Sequence, residues 1–463
     1  MSQSNATSER APQSAPDLLG RMREDAKRLF QAAVRRVDPC EAVRRFVHLE
    51  GDRVLLGDAA KPAVWLDLTN FEHVYVVGGG KATAPMARAM EELLGPRLSG
   101  GLVVVKYGFT EPLKAVESLE AGHPLPNAKG VEGTGRILGL LEKAGERDLV
   151  FSLISGGGSA LLPQPVEGIT LAEKQAVTRT LLSCGATIDE INAIRKHISL
   201  SKGGQMARAA FPATTVNLML SDVVGDKMDV IASGPFVPDS STYQDALAIL
   251  LKYGLREIPQ GVKEYLERGA KGEVRETPKK GDPIFERVRN FVIGSNILAL
   301  EAAGEEAEKL GYHVLILSSM VEGETREVAR VHTGIAAEIL KTGRPIPPPA
   351  CVISGGETTV TLRGKGTGGR NQEFCLAAAM DLTGLPTRVV IASAGTDGND
   401  GPTDAAGALV DPLTVKKGRK LGLDPGRYLA DNDSYPFLQK TGDLLITGPT
   451  KTNVMDVRFV LVR

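Results

Sequence analysis

Short runs of apolar residues recur along the chain, and each is followed by glycine and then by a stretch of helical periodicity. HVYVVGGG, DLVFSLISGGG and CVISGG, which begin at residues 73, 148 and 351, are three examples. Strands that are apolar throughout and separated by helices are typical of parallel sheets covered on both faces. The pattern therefore predicts an α/β fold with a largely parallel sheet.

The series is interrupted by a polar segment, rich in Lys, Arg and Glu, at about residues 252–289, and it resumes at NFVIGSN. We therefore predict an N-terminal domain of residues 17–255 and a C-terminal α/β domain of residues 256–463. The last apolar run, VRFVLV, is expected to be an antiparallel edge strand. Residues 1–16 are polar without an apolar signal core, which predicts a disordered leader.

Composition narrows the class of protein further. The 463 residues include 55 Lys plus Arg against 56 Asp plus Glu, and 5% aromatic residues. Because the charges nearly cancel, no overall field favours a nucleic-acid partner. The low aromatic content also argues against a surface on which bases stack. No apolar run approaches the roughly 20 residues of a spanning helix, which predicts no membrane partner. Four widely separated cysteines indicate a reducing, cytoplasmic location.

Six loops at predicted strand ends combine glycine with Ser, Lys, Asn, Asp or Glu: GGGKAT, SGGGSA, SDVVGD, GSN, SGGET and SAGTDGNDG. Ligands of open α/β sheets bind beyond the carboxyl ends of the strands. One such loop is as readily a tight turn, but six together predict a phosphate and metal site shared by two domains. The candidate substrate- or nucleotide-binding residues in these loops are Gly78, Gly79, Gly80, Ser155, Gly156, Gly157, Gly158, Ser159, Asn296, Gly355, Gly356 and Glu357.

The first loop fits neither common nucleotide-binding pattern. A Walker A loop would need glycine at Tyr75 and Ser or Thr at Ala82. A dinucleotide fingerprint would need glycine at Thr83 and an acid near Lys106, where the next strand ends. A lysine at the glycine loop of a buried strand is expected to face an anion, so Lys81 becomes a candidate catalytic residue.

Two further segments concentrate positive charge. INAIRKHISLSKGGQMA brings together Arg195, Lys196 and Lys202, either as a solvated basic face or as an anion site, and we favour the anion site. RGKGTGGRNQEF places Arg370 among glycines directly before a helix, which suits a flexible loop that closes over phosphoryl oxygens.

Aspartates follow two of the predicted strands. Asp222 and Asp397 are placed to hold Mg²⁺ or to accept a hydroxyl proton. Asp226 and Asp400 lie in glycine-rich turns and are expected to serve those turns only.

The motifs VVGGGKATAPMA, HPLPN, SLISGGGSALL, LSDVVGD, IASGPFVPD, SGGETTVTLRGKGTGGRNQE and TGPTKTNVMDVRFVLV occur in an order that resembles the class II glycerate 2-kinases. The resemblance runs from about residue 20 to the C-terminus and includes a C-terminal MOFRL region at about residues 345–460. It implies two α/β domains, the first Rossmann-like, with the active site in the interdomain cleft. It also implies phosphorylation of D-glycerate at the 2-hydroxyl by ATP and Mg²⁺, giving 2-phosphoglycerate.

The family's important lysine and arginine correspond to Lys81 and Arg370. Lys81 is expected to contact either the substrate carboxylate or the transferred phosphoryl group, and Asp222 either to accept the hydroxyl proton or to hold metal. Two other functions stay open: an NAD(P)H-dependent hydroxypyruvate reductase, against which the failed fingerprint speaks, and a non-catalytic sugar-phosphate-binding module. The small-molecule partners are D-glycerate and ATP, and a homodimer is compatible with the sequence.

Overall fold

The strands alternate with helices along most of the chain in the computed structural model, which describes residues 15–57, 64–255 and 258–463. In chain order the described strands are β1 Val47–Glu50, β2 Arg53–Leu56, β3 Val64–Asp67, β4 His73–Gly79, β5 Gly100–Lys106, β6 Val116–Ala121, β7 Asp148–Ile154, β8 Thr214–Leu220, β9 Val288–Gly294, β10 His313–Val321, β11 Ala350–Gly356, β12 Val389–Gly395, β13 Gly407–Val410, β14 Leu444–Leu445 and β15 Asp456–Val462. The predicted α/β class is confirmed.

The helices begin largely where local signals place them. The sequence predicts a capping box at Thr187 and Glu190, and both reciprocal hydrogen bonds of that box are present. In chain order the described α-helices are α1 Ala15–Arg36, α2 Pro39–Phe46, α3 Thr83–Leu94, α4 Ala128–Leu141, α5 Gly158–Leu161, α6 Leu171–Ser183, α7 Ile188–His197, α8 Gln205–Ala210, α9 Tyr243–Lys252, α10 Gln260–Ala270, α11 Asn296–Lys309, α12 Thr325–Thr342, α13 Arg370–Asp381, α14 Thr414–Lys420, α15 Pro425–Ala430 and α16 Ser434–Thr441.

The chain divides into two compact units. The N-terminal unit comprises Val34–Leu298 together with Thr450–Val454, and the C-terminal unit comprises α1 up to Ala33, Ala299–Pro449 and Met455–Arg463. The boundary predicted between residues 255 and 256 differs from this division because β9 extends the first sheet. An apolar run shows that a strand is buried, but it does not show which sheet the strand joins.

The N-terminal unit is built on a six-stranded parallel sheet of order β6-β5-β4-β7-β8-β9. This is the doubly wound order of a Rossmann-like sheet: all strands run parallel, and the direction in which successive strands are added to the sheet changes between β4 and β7. Val76 of β4 packs into one apolar cluster with Met86, while Val77 packs into another with Ile137. Both faces of the sheet are therefore covered, as its apolar strands require.

The C-terminal unit contains a mixed sheet of order β10-β11-β15-β12-β13-β14, in which β15 is antiparallel to both β11 and β12. The last strand is thus antiparallel, as expected, but it is central and not at the edge. Every residue from Asp456 to Val462 is buried. A central position explains why this strand is apolar on both faces around a single arginine, Arg458.

Two predictions concern features outside these two sheets. The predicted disordered leader, residues 1–16, lies outside the described residues except for the last two, where α1 begins. Among the helices that the structure describes, none has the length and apolar character that a membrane crossing demands.

Candidate functional site

The carboxyl end of the parallel sheet brings two glycine loops together. β4 and β7 are hydrogen-bonded neighbours, and the strand order reverses between them. The loop that carries Lys81 follows β4, and the loop of residues 155–159 follows β7. In doubly wound sheets this switch point is the usual ligand position, so the structure places the first two predicted loops where a ligand would bind.

The three glycines of the first loop allow it to pack closely against β7 and the second loop. A Cβ on Gly78 would lie 2.1 Å from the carbonyl oxygen of Leu153, and one on Gly79 would meet the Leu162 side chain at 2.7 Å. At Gly80, whose φ is +151°, a Cβ would lie 2.1 Å from Oγ of Ser155. In the structure these three glycines join β4 closely to the second loop, and the ligand contact expected of them stays a prediction.

Hydrogen bonds hold the two loops in register. The amide of Lys81 donates to the Gly156 carbonyl at 2.8 Å, and the amide of Ala82 donates to Oγ of Ser155 at 3.0 Å. Ser155 is buried and also lies 3.2 Å from the Thr83 hydroxyl. Oγ of Ser159 lies 2.8 Å from Oγ of Ser233. The backbone from which the Lys81 side chain projects is therefore fixed.

Three functional groups from different strand ends meet at the second loop. A Cβ on Gly156 would lie 2.2 Å from Oδ2 of Asp222, which follows β8. A Cβ on Gly157, whose φ is +84°, would lie 2.9 Å from the imidazole of His123 and 3.4 Å from Cγ of Lys81. Glycine at both positions keeps open the space between a lysine, a histidine and an aspartate.

Lys202 and Arg195 lie behind this loop, together with Lys174. Nζ of Lys202 donates to the carbonyls of Ser159 (2.9 Å) and Leu162 (3.3 Å), and burial together with Arg195 lowers its pKa to about 7. Nζ of Lys174 donates to the Pro163 carbonyl, and burial moves its pKa well below the ordinary value. Lys202 thus supports the end of the loop helix α5, and the anion contact expected of it stays a prediction.

Two further predicted residues are engaged within the protein. The ammonium of Lys196 is buried 3.3 Å from both Asp229 and Asp239, so carboxylates already neutralise its charge. Asn296 is buried, and its Nδ2 donates to the Val454 carbonyl at 2.8 Å. The sequence does not indicate these contacts, because the spacing along a helix does not show which neighbours a side chain faces. The binding roles expected of Lys196 and Asn296 stay predictions.

In the C-terminal unit Arg370 begins α13 and is held by two carboxylates. Its Nε and Nη2 donate to the two carboxylate oxygens of Asp456 at 2.7 and 3.0 Å, and its Nη1 donates to Glu357 at 2.7 Å. Burial opposes the charged form, but Asp456 and Glu357 outweigh burial and raise the pKa of Arg370. The guanidinium is thus a fixed, fully charged group.

The carboxylate of Asp456 is the centre of this arrangement. It is wholly buried at the start of β15, where it also accepts from Nδ2 of Asn371 (2.9 Å) and from Nη2 of Arg458 (3.2 Å). Arg458 is itself buried, lies over the ring of Phe374, and has its pKa lowered by burial. Asp456 therefore balances two arginines from the middle of the sheet.

The glycine loop before Arg370 is pinned to the segment that precedes α16. The amides of residues 363 and 364 donate to Oδ1 of Asn432, and the amide of Thr367 donates to Asp433. A Cβ on Gly366 would lie 2.3 Å from Cβ of Asp433. The glycines were expected to make this loop flexible, but here they allow close packing.

This loop forms one wall of a cavity of about 710 Å³ within the C-terminal unit. Four acidic side chains and one arginine line it: Glu357, Glu373, Asp397, Asp400 and Arg370. Of the predicted loop residues, Gly356 has φ +122° and would place a Cβ 2.4 Å from the backbone of Val321, so this glycine serves strand packing. Gly355 is buried in β11 opposite Val457.

The two aspartates in this loop have different surroundings, and the metal role predicted for Asp397 stays a prediction. Oδ1 of Asp397 accepts the amide of Asn399 at 3.0 Å, which is an Asx turn. Asp400 is buried and accepts the amides of Asn371 (3.1 Å) and Gln372 (2.8 Å) at the start of α13. Burial raises the pKa of Asp400 to about 6. Asp226 does lie in a turn, with φ +54°.

The described part of the chain contains no group of three or more His, Cys, Asp or Glu side chains able to hold a metal ion. Mg²⁺ is commonly bound by one or two protein carboxylates, with phosphate oxygens and water as the other ligands. Asp222, which contacts the loop at Gly156, fits that pattern. Asp397 fits less well because one of its oxygens is used in the turn.

Sequence reasoning missed two residues of these sites, His123 and Asp456. Both lay in motifs that were noticed, HPLPN and TNVMDVRFVLV. The signal that could have identified His123 is its place directly after the predicted strand that ends at Ala121, where a polar side chain reaches the same sheet edge as Lys81. No comparable signal marks Asp456.

The chain matches two families, one described as a domain of unknown function (DUF4147) over residues 25–267 and the MOFRL family over residues 350–456. The D-glycerate 2-kinase of Thermotoga maritima is 46% identical over 394 residues, which cover 85% of this chain and 91% of that protein. A protein of Agrobacterium vitis, named provisionally as a hydroxypyruvate reductase, is 44% identical over 389 residues, covering 84% of this chain and 86% of that protein. The crystal structure of a glycerate kinase from Thermotoga maritima matches with a TM-score of 0.86 and 42% identity, covering 96% of this chain and 100% of that chain.

Proposed function

Because the chain belongs to the glycerate 2-kinase family with a C-terminal MOFRL domain, we propose that it phosphorylates D-glycerate at the 2-hydroxyl, with ATP as donor and Mg²⁺ as cofactor. The observation that carries the proposal is the site at the switch point of the parallel sheet. There Lys81 projects from a hydrogen-bonded double loop, and within the described residues its ammonium has no carboxylate partner. A lysine so placed can bind an anionic ligand without first giving up a protein partner.

The residues divide the work of phosphoryl transfer between them. Lys81 would bind an anionic oxygen of the substrate, and Arg370 would offer its guanidinium to a second anionic group. Asp222 would supply a carboxylate oxygen to Mg²⁺, which, when bound, offsets the charge of the phosphate oxygens. The interdomain cleft implied by the resemblance stays a prediction, as does the homodimer.

Measuring ADP release with D- and L-glycerate as acceptors tests the activity directly. We expect turnover with D-glycerate, ATP and Mg²⁺, loss of turnover on chelation by EDTA, and a product that enolase alone converts onward. A product that needs a phosphoglycerate mutase before enolase acts would mean phosphorylation at the 3-hydroxyl. That result would contradict the proposed position of transfer.

The second candidate, a hydroxypyruvate reductase, is favoured by the provisional name of the Agrobacterium vitis relative. The structure offers little support for a dinucleotide at the β4 loop. Thr83 occupies the third glycine position at the start of α3, and β5 ends at Lys106 without an acid for the ribose. Oxidation of NADH or NADPH by hydroxypyruvate, without ATP, would favour the reductase over the kinase.

A cytoplasmic location is also part of the proposal. Each of the four cysteines, all of which the structure describes, is free. Three of them are buried, and disulfides are rare in the reducing cytoplasm. Fractionation of cells that express the tagged chain would test the location.

A further inference from the structure

His123 lies two residues after β6, at the carboxyl edge of the parallel sheet that also carries Lys81. Its ring is half-buried, and its Cδ2–Nε2 edge faces the backbone of Gly157: a Cβ there would lie 2.9 Å from both of these ring atoms. The same Cβ would lie 3.4 Å from Cγ of Lys81. The imidazole edge and the lysine stem therefore flank one position that must stay without a side chain.

The nitrogens of this ring have no hydrogen-bond partner within residues 15–57, 64–255 and 258–463. Three other histidines differ in this respect. His73 pairs with Asp148, His197 with Glu276 and the Ala193 carbonyl, and His332 with Ser354 and the Val328 carbonyl. The ring nitrogens of His123 are therefore available for hydrogen bonds to a ligand, next to a lysine that is also unpaired among the described residues.

The charge state of the imidazole decides what it can bind. Burial, with Lys81 and Lys106 nearby, lowers the pKa of His123 to about 4. A neutral imidazole has one nitrogen that accepts a hydrogen bond, whereas the Lys81 ammonium only donates. The pair therefore offers an acceptor next to a cation. A 2-hydroxy acid presents the complement, a hydroxyl that donates on the carbon next to a carboxylate.

We propose that His123 accepts the hydrogen bond of the hydroxyl that is phosphorylated, while Lys81 binds the neighbouring carboxylate. The inference rests on the proposed kinase function and adds a catalytic residue to it. The hydroxyl oxygen forms a bond to the γ-phosphorus of the nucleoside triphosphate, and the bond from that phosphorus to the oxygen of the departing diphosphate breaks. The hydroxyl proton passes to the acceptor nitrogen of His123 and from there to water.

This assignment separates the roles of the groups at the loop. His123 orients the attacking oxygen, and Lys81 fixes the carboxylate so that the 2-hydroxyl, and not a more distant hydroxyl, reaches the donor. Asp222, on the Gly156 side of the loop, is then left for Mg²⁺. A residue that positions the nucleophile acts in the transition state, so its removal should lower kcat more than it changes KM.

Four variants test the proposal in the full-length protein: His123→Ala, His123→Gln, His123→Asn and, as matched control, His73→Gln. His73 begins β4 at the opposite end of the same sheet, where it pairs with Asp148. We expect His123→Ala to lower kcat for D-glycerate about 100-fold, the lower range of general-base contributions. His73→Gln should retain wild-type kcat.

The kcat values of the two amide variants distinguish a catalytic role of His123 from a purely structural one. The side chain of Gln reaches the position of Nε2, the nitrogen that faces Gly157, whereas that of Asn reaches only that of Nδ1. We expect His123→Gln to recover more kcat than His123→Asn. Equal values for the two, or a wild-type kcat in His123→Ala, would overturn the assignment.

A binding measurement keeps this inference distinct from the proposed function. We expect propanoate, which has the carboxylate but no hydroxyl, to protect wild type and His123→Ala equally against thermal unfolding, and to protect Lys81→Met less. Weaker protection of His123→Ala by propanoate would overturn the assignment of His123 to the hydroxyl. If wild type binds propanoate but never releases ADP with glycerate, the kinase proposal fails while the carboxylate site stands.

Discussion

The two cationic sites of the molecule are built in opposite ways. In the N-terminal unit, no carboxylate of the described chain pairs with Lys81, and its immediate neighbour is a neutral histidine. In the C-terminal unit, Arg370 is held by Asp456 and Glu357. The arginine charge is thus compensated by neighbouring carboxylates, whereas the lysine charge has no such partner among the described residues. An unpaired cation provides affinity for anions, and a paired one provides a fixed geometry.

The two partners of Arg370 are not equivalent. The side chain of Asp456 is fully buried, while that of Glu357 is 46% exposed. Because a solvent-exposed ion pair contributes only about 0–1 kcal/mol, an anionic ligand could replace Glu357 at little expense. Asp456 holds Nε and Nη2, and Glu357 covers the remaining nitrogen, Nη1. The arginine site therefore has one permanent and one exchangeable partner.

The largest expected effect concerns the permanent partner. Asp456→Asn leaves Arg458 and Arg370 without the buried charge that balances them, and we expect the free energy of unfolding to fall by about 4 kcal/mol. Glu357→Gln is the matched control, with an expected loss below about 1 kcal/mol because its pair is half exposed. Urea unfolding at pH 7 measures both. Similar losses of unfolding free energy in the two variants would show that Asp456 and Glu357 stabilise the protein equally.

The next effect tests the unpaired side of the comparison. Lys81→Met should lower kcat/KM for glycerate by on the order of 10²- to 10³-fold, the usual effect of removing one group that stabilises transition-state charge. Because no ion pair of the described chain is lost, the free energy of unfolding should hardly change. Lys129→Met, an exposed lysine of the same unit paired with Glu132, is the control and should keep its activity. Full activity in folded Lys81→Met would end the assignment of Lys81.

Asp400 gives a third, pH-dependent effect in the arginine site. Its carboxyl has an ordinary pKa of 3.8 and a folded value of about 6. Between pH 3.8 and 6 the folded state holds a proton on Asp400 that the unfolded state has lost. The stabilisation that this proton gives the folded state is complete below pH 3.8 and is lost as the pH rises through 6. Asn at position 400 cannot titrate. The stability of Asp400→Asn relative to wild type should therefore rise by about 2 kcal/mol from pH 4.5 to 7.5.

Urea unfolding of both proteins across this range measures the difference. His332, whose pKa burial lowers to about 4, titrates in the same window in both proteins and cancels. A difference that is constant or that falls as the pH rises would contradict the raised pKa of Asp400.

The fold and one half of the site could be predicted from the sequence for a physical reason. Apolar strands, glycine loops and capping boxes are local signals, and the carboxyl ends of parallel strands share one sheet edge. The loops that carry Lys81 and residues 155–159 therefore come together in the structure as the sequence indicates. The α/β class follows from the same local pattern.

The rest depends on neighbours that are distant in sequence. Asp400 caps α13 from 29 residues away, and Lys196 pairs with Asp239, 43 residues away. Spacing along the chain therefore shows neither that Asp400 caps α13 nor that Lys196 faces a carboxylate. Asp456 is hidden in an apolar run that reads as an edge strand, and only the sheet order shows it to be central.

The smallest expected effect tests whether geometry, and not only charge, is what the arginine site supplies. Arg370 uses two nitrogens for Asp456 and directs the third, Nη1, away from that carboxylate. Lysine keeps the charge but has a single ammonium, so it cannot hold Asp456 and present a donor in a fixed direction at the same time. We expect Arg370→Lys to lower kcat on the order of tenfold, with a smaller change in the KM for ATP. The matched control is Arg326→Lys, since Arg326 donates through Nε and Nη2 to buried Glu373 in the same unit. That variant should lose similar stability but keep its kcat, as measured by ADP release and urea unfolding. If Arg326→Lys loses as much kcat as Arg370→Lys, or if Arg370→Lys turns over like wild type, the fixed direction of Nη1 has no catalytic role.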